Sequence, residues 1–236
     1  MGEPAENTET RKKALRPRDA ATLIVYRRDT DGIRLLMGRR SLKHVFMPGA
    51  LVFPGGRIEN QDRFAPSVDA LDPAVEATLL RRAKVTPARA RALALAAIRE
   101  TFEETGYLIG VEQTPVRSPA GRSWQNFVGH GVLPSLGGLR FLTRAITPPT
   151  QPRRFDARFF VVEASAIAKK VAVPDEELED PAWVKFNEAR DFKKLPAVTR
   201  LVLDELEEKL ARGPLAADAP ALLRRMRQGR LHGEPL

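Results

Sequence analysis

Residues 21–27 (ATLIVYR) form a run rich in β-branched side chains, and residues 33–38 form a second apolar run. Asp31-Gly32 stands between them. An Asp-Gly pair flanked by such runs predicts a hairpin of two strands. Residues 41–50 read as a loop containing Phe46-Met47-Pro48-Gly49, and Leu51-Val52-Phe53 as a short apolar strand running into Pro54-Gly55-Gly56. The stretch 62–86 is rich in Ala, Asp, Pro and Arg and predicts one short helix over 73–84. The next helix has the clearest ends. Thr86 is a good N-cap, Pro87 takes the favoured first position, and Gly106 supplies the stop. Ala and Arg dominate residues 88–98, which gives high helix propensity. A further helix is predicted over 123–129, strands over 139–146 and 155–163, and a last strand over 181–186. Leu201, Leu203, Leu206 and Leu210 lie near helical spacing and predict an amphipathic helix over 196–210. Residues 219–227 read as a short terminal helix. Strands interleaved with helices predict a mixed α/β domain.

Composition narrows the chemistry. A chain of 236 residues suits one domain with extra elements, or at most two small domains, and 43% apolar side chains allow a sizeable core. There is no cysteine, which excludes disulfides, thiolate catalysis and zinc sites built on sulfur, and fits a reducing cytoplasm. No apolar run approaches the length of a membrane span, and residues 1–19 are polar with no secretory h-region. The net charge of +9 favours anionic partners, yet much of it comes from arginines near both ends, Arg11 to Arg18 and Arg224 to Arg230. These ends read as solvated tails rather than as a nucleic-acid footprint, and with two Trp and two Tyr a stacking platform for single strands is poorly supported.

The sharpest feature is Arg99-Glu100-Thr101-Phe102-Glu103-Glu104-Thr105-Gly106. Glu100, Glu103 and Glu104 stand at i, i+3 and i+4 and share one helix face. Like charges at this spacing destabilise a helix, and carboxylates near its C-terminal end oppose the helix dipole. Arg99 offsets part of this repulsion. A hard divalent cation, Mg²⁺ or Mn²⁺, offsets it better and can present a phosphate substrate at its open positions. Gly55-Gly56, following a strand, lets bare backbone approach a ligand.

Together these segments resemble the Nudix hydrolase family, whose signature is Gly, five residues, Glu, seven residues, then Arg-Glu-aliphatic-x-Glu-Glu-x-Gly-aliphatic. Gly56 matches the first glycine; Arg99, Glu100, Glu103, Glu104 and Gly106 match the helical half. Asp62 stands where the first Glu is expected, and Thr101 and Tyr107 replace aliphatic residues. Thirty-six residues (63–98) separate Asp62 from Arg99 where the family has seven, an insertion of 29. An interrupted box of this kind, with Arg39-Arg40-Ser41 and Val52-Phe53-Pro54 before it, is similar to the branch of coenzyme A diphosphatases. The resemblance covers roughly residues 20–210. It implies an α/β/α sandwich with a mixed β-sheet and additional helices from the insertion and the C-terminus. The expected organisation is a flexible basic tail over 1–18, a Nudix domain over 19–212 with the insertion at about 63–86, and a C-terminal helix and tail over 213–236.

The resemblance further implies attack of water on a nucleoside-linked diphosphate, with Mg²⁺ or Mn²⁺ as cofactor. Glu100, Glu103 and Glu104 would be metal ligands, joined by the backbone carbonyl of Gly56, and Arg99 would orient the glutamates. Arg39, Arg40 and Arg57 are candidates to hold phosphates. Phe46 and His44 are candidate substrate contacts. Glu176, Glu177 and Glu179 are candidates for a further acidic ligand. The first-choice substrate is coenzyme A or an acyl derivative, cleaved to 3′,5′-ADP and (acyl-)4′-phosphopantetheine. ADP-ribose, NADH or a dinucleoside polyphosphate is the alternative, and a non-catalytic module that senses a nucleotide or binds RNA is the alternative of another class. The insertion is expected to build a lid or a contact within a homodimer.

Overall fold

The computed structural model describes residues 15–43, 47–82, 85–115, 117–172, 178–227 and 230–236. The predicted hairpin opens it. Strand β1 (Arg18–Asp29) turns through Asp31-Gly32 into β2 (Gly32–Arg40), with Asp29 opposite Gly32. β1 also runs parallel to β8 (Phe155–Glu163), from Arg18 opposite Phe155 to Tyr26 opposite Glu163. Both neighbours of β1 are strands and both of its faces are covered, so it reads as a nearly continuous apolar run. Period-2 alternation sorts its side chains. Leu23 and Val25 enter one core with Leu36, and Ile24 and Tyr26 enter the other with Leu35 and Met37.

Helix α2 (Pro87–Thr105) fills the first core. The Thr86 side chain accepts from the Arg89 amide, Pro87 follows, and Gly106 closes the helix at φ 75°. That left-handed conformation suits glycine. The small side chains Ala90, Ala94 and Ala97 let α2 sit close to the sheet, and Leu93, Ile98 and Phe102 are fully buried. The insertion supplies α1 (Pro73–Leu80), which packs Val75 and Leu79 onto this core. On the opposite face α5 (Ala197–Ala211) lays Val202, Leu203, Leu206 and Leu210 against Ile24 and Met37. The three layers are thus helix, sheet and helix, as the resemblance implies. No helix among the described residues is long and apolar enough to cross a membrane.

One expectation fails at the periphery, and one element goes unforeseen. Residues 219–227 do not form a helix. They form β11 (Leu222–Arg227), parallel to β7 (Arg140–Ile146) and paired with β12 (Arg230–Pro235). The expected C-terminal helix of 213–236 is therefore a hairpin. The edge of β7 and the return strand β12 pair with both sides of β11, and the side chains alternate accordingly. Arg224 reaches Glu205 on α5 at 2.7 Å while Arg225 reaches Glu234 at 2.9 Å. Tertiary pairing overrides a weak local helix preference. The sequence also gives no sign of the small sheet β6 (Val132–Pro134), β5 (Tyr107–Glu112) and β9 (Ile167–Lys170). Its strands are short, and Gly110 interrupts the pattern of β5; a Cβ there would lie 2.0 Å from the Leu133 carbonyl oxygen.

Asp19 links the layers. It accepts from Arg89 at the start of α2 and from Arg158 on β8. Burial alone would raise its carboxyl pKa, but the two guanidiniums outweigh burial and hold it below the ordinary 3.8. A lowered folded pKa stabilises the fold above the unfolded value, and that contribution disappears as pH falls through the folded value. Asp19→Asn is expected to melt below wild type at pH 7, with the two melting curves converging as pH drops below about 3.8. Calorimetry across pH 2 to 7 checks this; a constant gap over the whole range would refute it.

Candidate active site

The last turns of α2 are oriented by their apolar side. Phe102 is fully buried, with its ring edge-on to Phe127 at 5.3 Å. Thr101, in place of the family's aliphatic residue, is buried without penalty because its hydroxyl donates to the Ala97 carbonyl at 2.8 Å. Tyr107, the other replacement, caps its phenol with the Trp183 indole N–H at 3.2 Å. With Phe102 inward, the carboxylates face the loop that carries β4 (Gly55–Arg57).

That loop is held against the helix by main-chain pairing. Ala21 of β1 stands opposite Gly56, and Thr22 opposite Gly55. The Gly55 amide donates to Glu104 Oε2 at 2.9 Å. A Cβ on Gly56 would lie 2.4 Å from Glu100 Cδ. The Glu100 carboxylate therefore occupies the space that any other residue at 56 would fill. Gly56→Ala is expected to push Glu100 aside and lower kcat by about 100-fold, the size of effect a 1 Å misplacement can have. A far-UV spectrum like that of wild type, taken beside the kinetics, separates this from misfolding; unchanged kcat would refute the close approach.

Arg99 is the organiser. Its side chain is 2% exposed and every arm of the guanidinium meets an acceptor. Nε and Nη2 fork onto Asp62 at 2.8 and 3.1 Å, Nη2 also donates to the Arg57 carbonyl at 2.9 Å, and Nη1 reaches Glu100 at 2.8 Å and Glu103 at 2.9 Å. Burial disfavours its charge, but Asp62, Glu100 and Glu103 outweigh burial and hold its pKa above the ordinary arginine value. A guanidinium with all arms engaged by protein orients carboxylates and has none left for substrate.

Asp62 answers the question raised by the insertion. It lies on a short 3₁₀ turn (Asn60–Arg63) and is wholly buried. Besides Arg99 it accepts from the Trp124 indole N–H at 3.0 Å and the Glu59 amide at 2.7 Å. The 29 extra residues leave after this contact and return into α2 before Arg99, so the two halves of the signature still meet. Trp124, on α3 (Arg122–Gly129), is a member of the site that sequence reasoning missed, because nothing in residues 123–129 marks an indole as a carboxylate's partner.

Three carboxylates, Asp62, Glu100 and Glu103, thus meet one buried cation, and Glu104 stands beside them on Gly55, leaving a surplus of negative charge. Among the described residues no three acidic or histidine side chains are spaced as a metal-binding group; Asp62, Glu100 and Glu103 are turned onto Arg99, and Glu104 onto Gly55. The donor set is nevertheless all hard oxygen, set beside a glycine that leaves backbone bare, and this suits Mg²⁺ or Mn²⁺. A polar cavity of about 460 Å³ beside Glu103 is lined by Arg122, Ser123, Gln125 and Asn126, none of which the sequence singles out.

The phosphate-holding candidates separate. Arg57 stays with the site through its carbonyl. Arg39 is engaged at the sheet edge, where β10 (Leu178–Lys185) pairs with β2, by Asp180 at 2.9 Å and Glu179 at 3.7 Å. Glu179 is thereby a partner of Arg39. Arg40 ends β2, its amide donating to the Ala50 carbonyl at 2.9 Å. Phe46, His44, Glu176 and Glu177 lie outside the described residues.

No family profile matches the chain. It is 29% identical to a Nudix hydrolase of known structure from Alicyclobacillus acidocaldarius, with a TM-score of 0.60 over 81% of this chain and 91% of that one. It is 26% identical to the acyl-coenzyme A diphosphatase of Xenopus laevis over 70% of this chain, and spans 56% of that protein's length. The three-layer fold, the Gly55-Gly56 loop and the helix from Arg99 to Gly106 make this chain similar to the Nudix hydrolases, and among them to the acyl-coenzyme A diphosphatases.

Proposed function

We propose that the chain hydrolyses a diphosphate linkage in a nucleotide derivative, with coenzyme A or acyl-coenzyme A as substrate and 3′,5′-ADP and (acyl-)4′-phosphopantetheine as products. The observation that carries this reading is the gathering of Glu100 and Glu103 on one buried arginine while Glu104 and Glu100 press against Gly55 and Gly56. The curated relative from Xenopus supports the choice of substrate.

In this reading Glu100, Glu103, Glu104 and the Gly56 carbonyl would hold Mg²⁺ or Mn²⁺. When bound, the metal lowers the pKa of water and neutralises charge on the departing phosphate. The protein's own contribution is orientation. Asp62 fixes the plane of the Arg99 guanidinium, and Arg99 fixes Glu100 and Glu103 in turn. Glu103, with its side chain 34% exposed, is more open to water than Glu100, at 13%. Arg57 and the polar groups beside Glu103 offer donors for phosphate and ribose oxygens.

The test is a kcat/KM comparison of coenzyme A, acetyl-coenzyme A, ADP-ribose, NADH and ATP with Mg²⁺ or Mn²⁺. The coenzyme A compounds should lead. Preferential cleavage of ADP-ribose would overturn the substrate and keep the reaction; salt-sensitive RNA binding with no turnover would overturn the enzyme reading in favour of a binding module.

A further inference from the structure

A larger cavity, about 1000 Å³, opens at the other end of α2 from the glutamates, between the start of β1, the loop after β4, the first turn of α2 and the ends of β7 and β8. Its described wall carries seven arginines against three acids. Part of this charge is a fixed network. Asp19 is shared by Arg89 and Arg158, and Asp156 by Arg158 and Arg144. Three guanidiniums on two carboxylates already leave one positive charge in excess. Arg82 faces Glu234 at 3.2 Å, and the remaining acid, Glu59, accepts from Gln61 at 2.5 Å. Arg16, Arg18 and Arg57 line the same space, and among the described residues none has an acidic side chain within ion-pair distance. Guanidiniums crowded in this way repel one another unless an anion lies between them.

The insertion helps to build this wall. It delivers Arg82, held at φ 47° just after α1, whose carbonyl accepts from Arg144 at 3.0 Å. The cavity is distinct from the metal face. Arg89 precedes Glu100 by eleven residues, roughly 16 Å along the helix. The two are joined by Arg57, whose side chain lines the cavity while its carbonyl receives Arg99.

We infer that this arginine-lined cleft binds a phosphate monoester carried on a nucleotide. Guanidinium forks match phosphate oxygens in pairs, and the volume suits a nucleotide-sized ligand. The inference rests on the proposed function in one respect: the phosphate is either a second phosphate of the substrate, remote from the scissile diphosphate, or that of a free nucleotide bound separately.

The test is calorimetric titration of the full chain with adenosine 3′,5′-bisphosphate in EDTA, comparing wild type with Arg16→Glu/Arg18→Glu. Both positions have exposed side chains without ion pairs among the described residues, and circular dichroism checks the fold of the variant. Wild type should bind at one site with affinity that falls with salt, and the variant should bind at least tenfold more weakly. Equal affinity in the two proteins, or no binding by wild type at millimolar ligand, overturns the cleft. Diphosphatase kinetics on the same variant identify the source. A rise in KM larger than any fall in kcat places a substrate phosphate in the cleft; lost bisphosphate binding with unchanged KM assigns it to a free nucleotide. If wild type turns over no diphosphate while bisphosphate binding still depends on Arg16 and Arg18, the cleft stands and the proposed reaction falls. If turnover proceeds and the variant binds as wild type does, the reverse holds.

Discussion

Glu103→Gln is expected to lower kcat on coenzyme A by more than about 100-fold while leaving the melting temperature within a few degrees of wild type. The substitution keeps the shape of the side chain and removes its charge. Loss of partners in the second layer around a metal already costs roughly 10- to 100-fold, so loss of a ligand's charge should cost more. The effect on stability should be small, because Glu103 is partly exposed and an ion pair of that kind contributes about 1 kcal/mol or less. Steady-state kinetics beside a thermal melt check both halves. A variant as active as wild type would remove Glu103 from the chemistry; a variant that fails to fold would make Glu103 a structural partner of Arg99.

Asp62→Ala has the largest expected effect on stability. It takes the forked partner from a guanidinium that is 2% exposed and leaves the Trp124 indole N–H without its acceptor. Removing one member of a buried ion pair costs about 3–5 kcal/mol, which in a domain of this size corresponds to a melting point lower by about 6–20 °C. Asp62→Asn should fall between the variant and wild type, since the amide oxygen can still accept from Trp124 while the charge is lost. Calorimetry of the three proteins decides; a drop of less than about 1 °C for Asp62→Ala would contradict the buried pair.

The two predictions act at different depths because the site was legible to different depths. The carboxylate helix was readable almost to the residue. Thr86, Pro87 and Gly106 carry their own conformational preferences, and the Glu100, Glu103 and Glu104 spacing needs only helix geometry. β1, β2 and β8 were readable because each is a long apolar run. The pairing of Asp62 with Arg99 was not legible: the resemblance only sets Asp62 at the position of the first Glu, 36 residues intervene, and nothing local reveals that a chain will return. The role of Trp124 and the basic cleft were hidden for the same reason: both are made by residues distant in sequence. Arg16, Arg82 and Arg144 look like ordinary surface arginines until the fold places them around one space. The hairpin of β11 and β12 was misread because its stability lies in the edge of β7, which a local window does not contain.

The central claim is that the glutamate face of α2 supports hydrolysis of a diphosphate. Its most direct test is chromatographic product analysis of coenzyme A incubated with Mg²⁺ and either wild type or Glu103→Gln. Wild type should yield 3′,5′-ADP and 4′-phosphopantetheine in equal amounts, and the variant neither over the same time; equal yields from both proteins would contradict it.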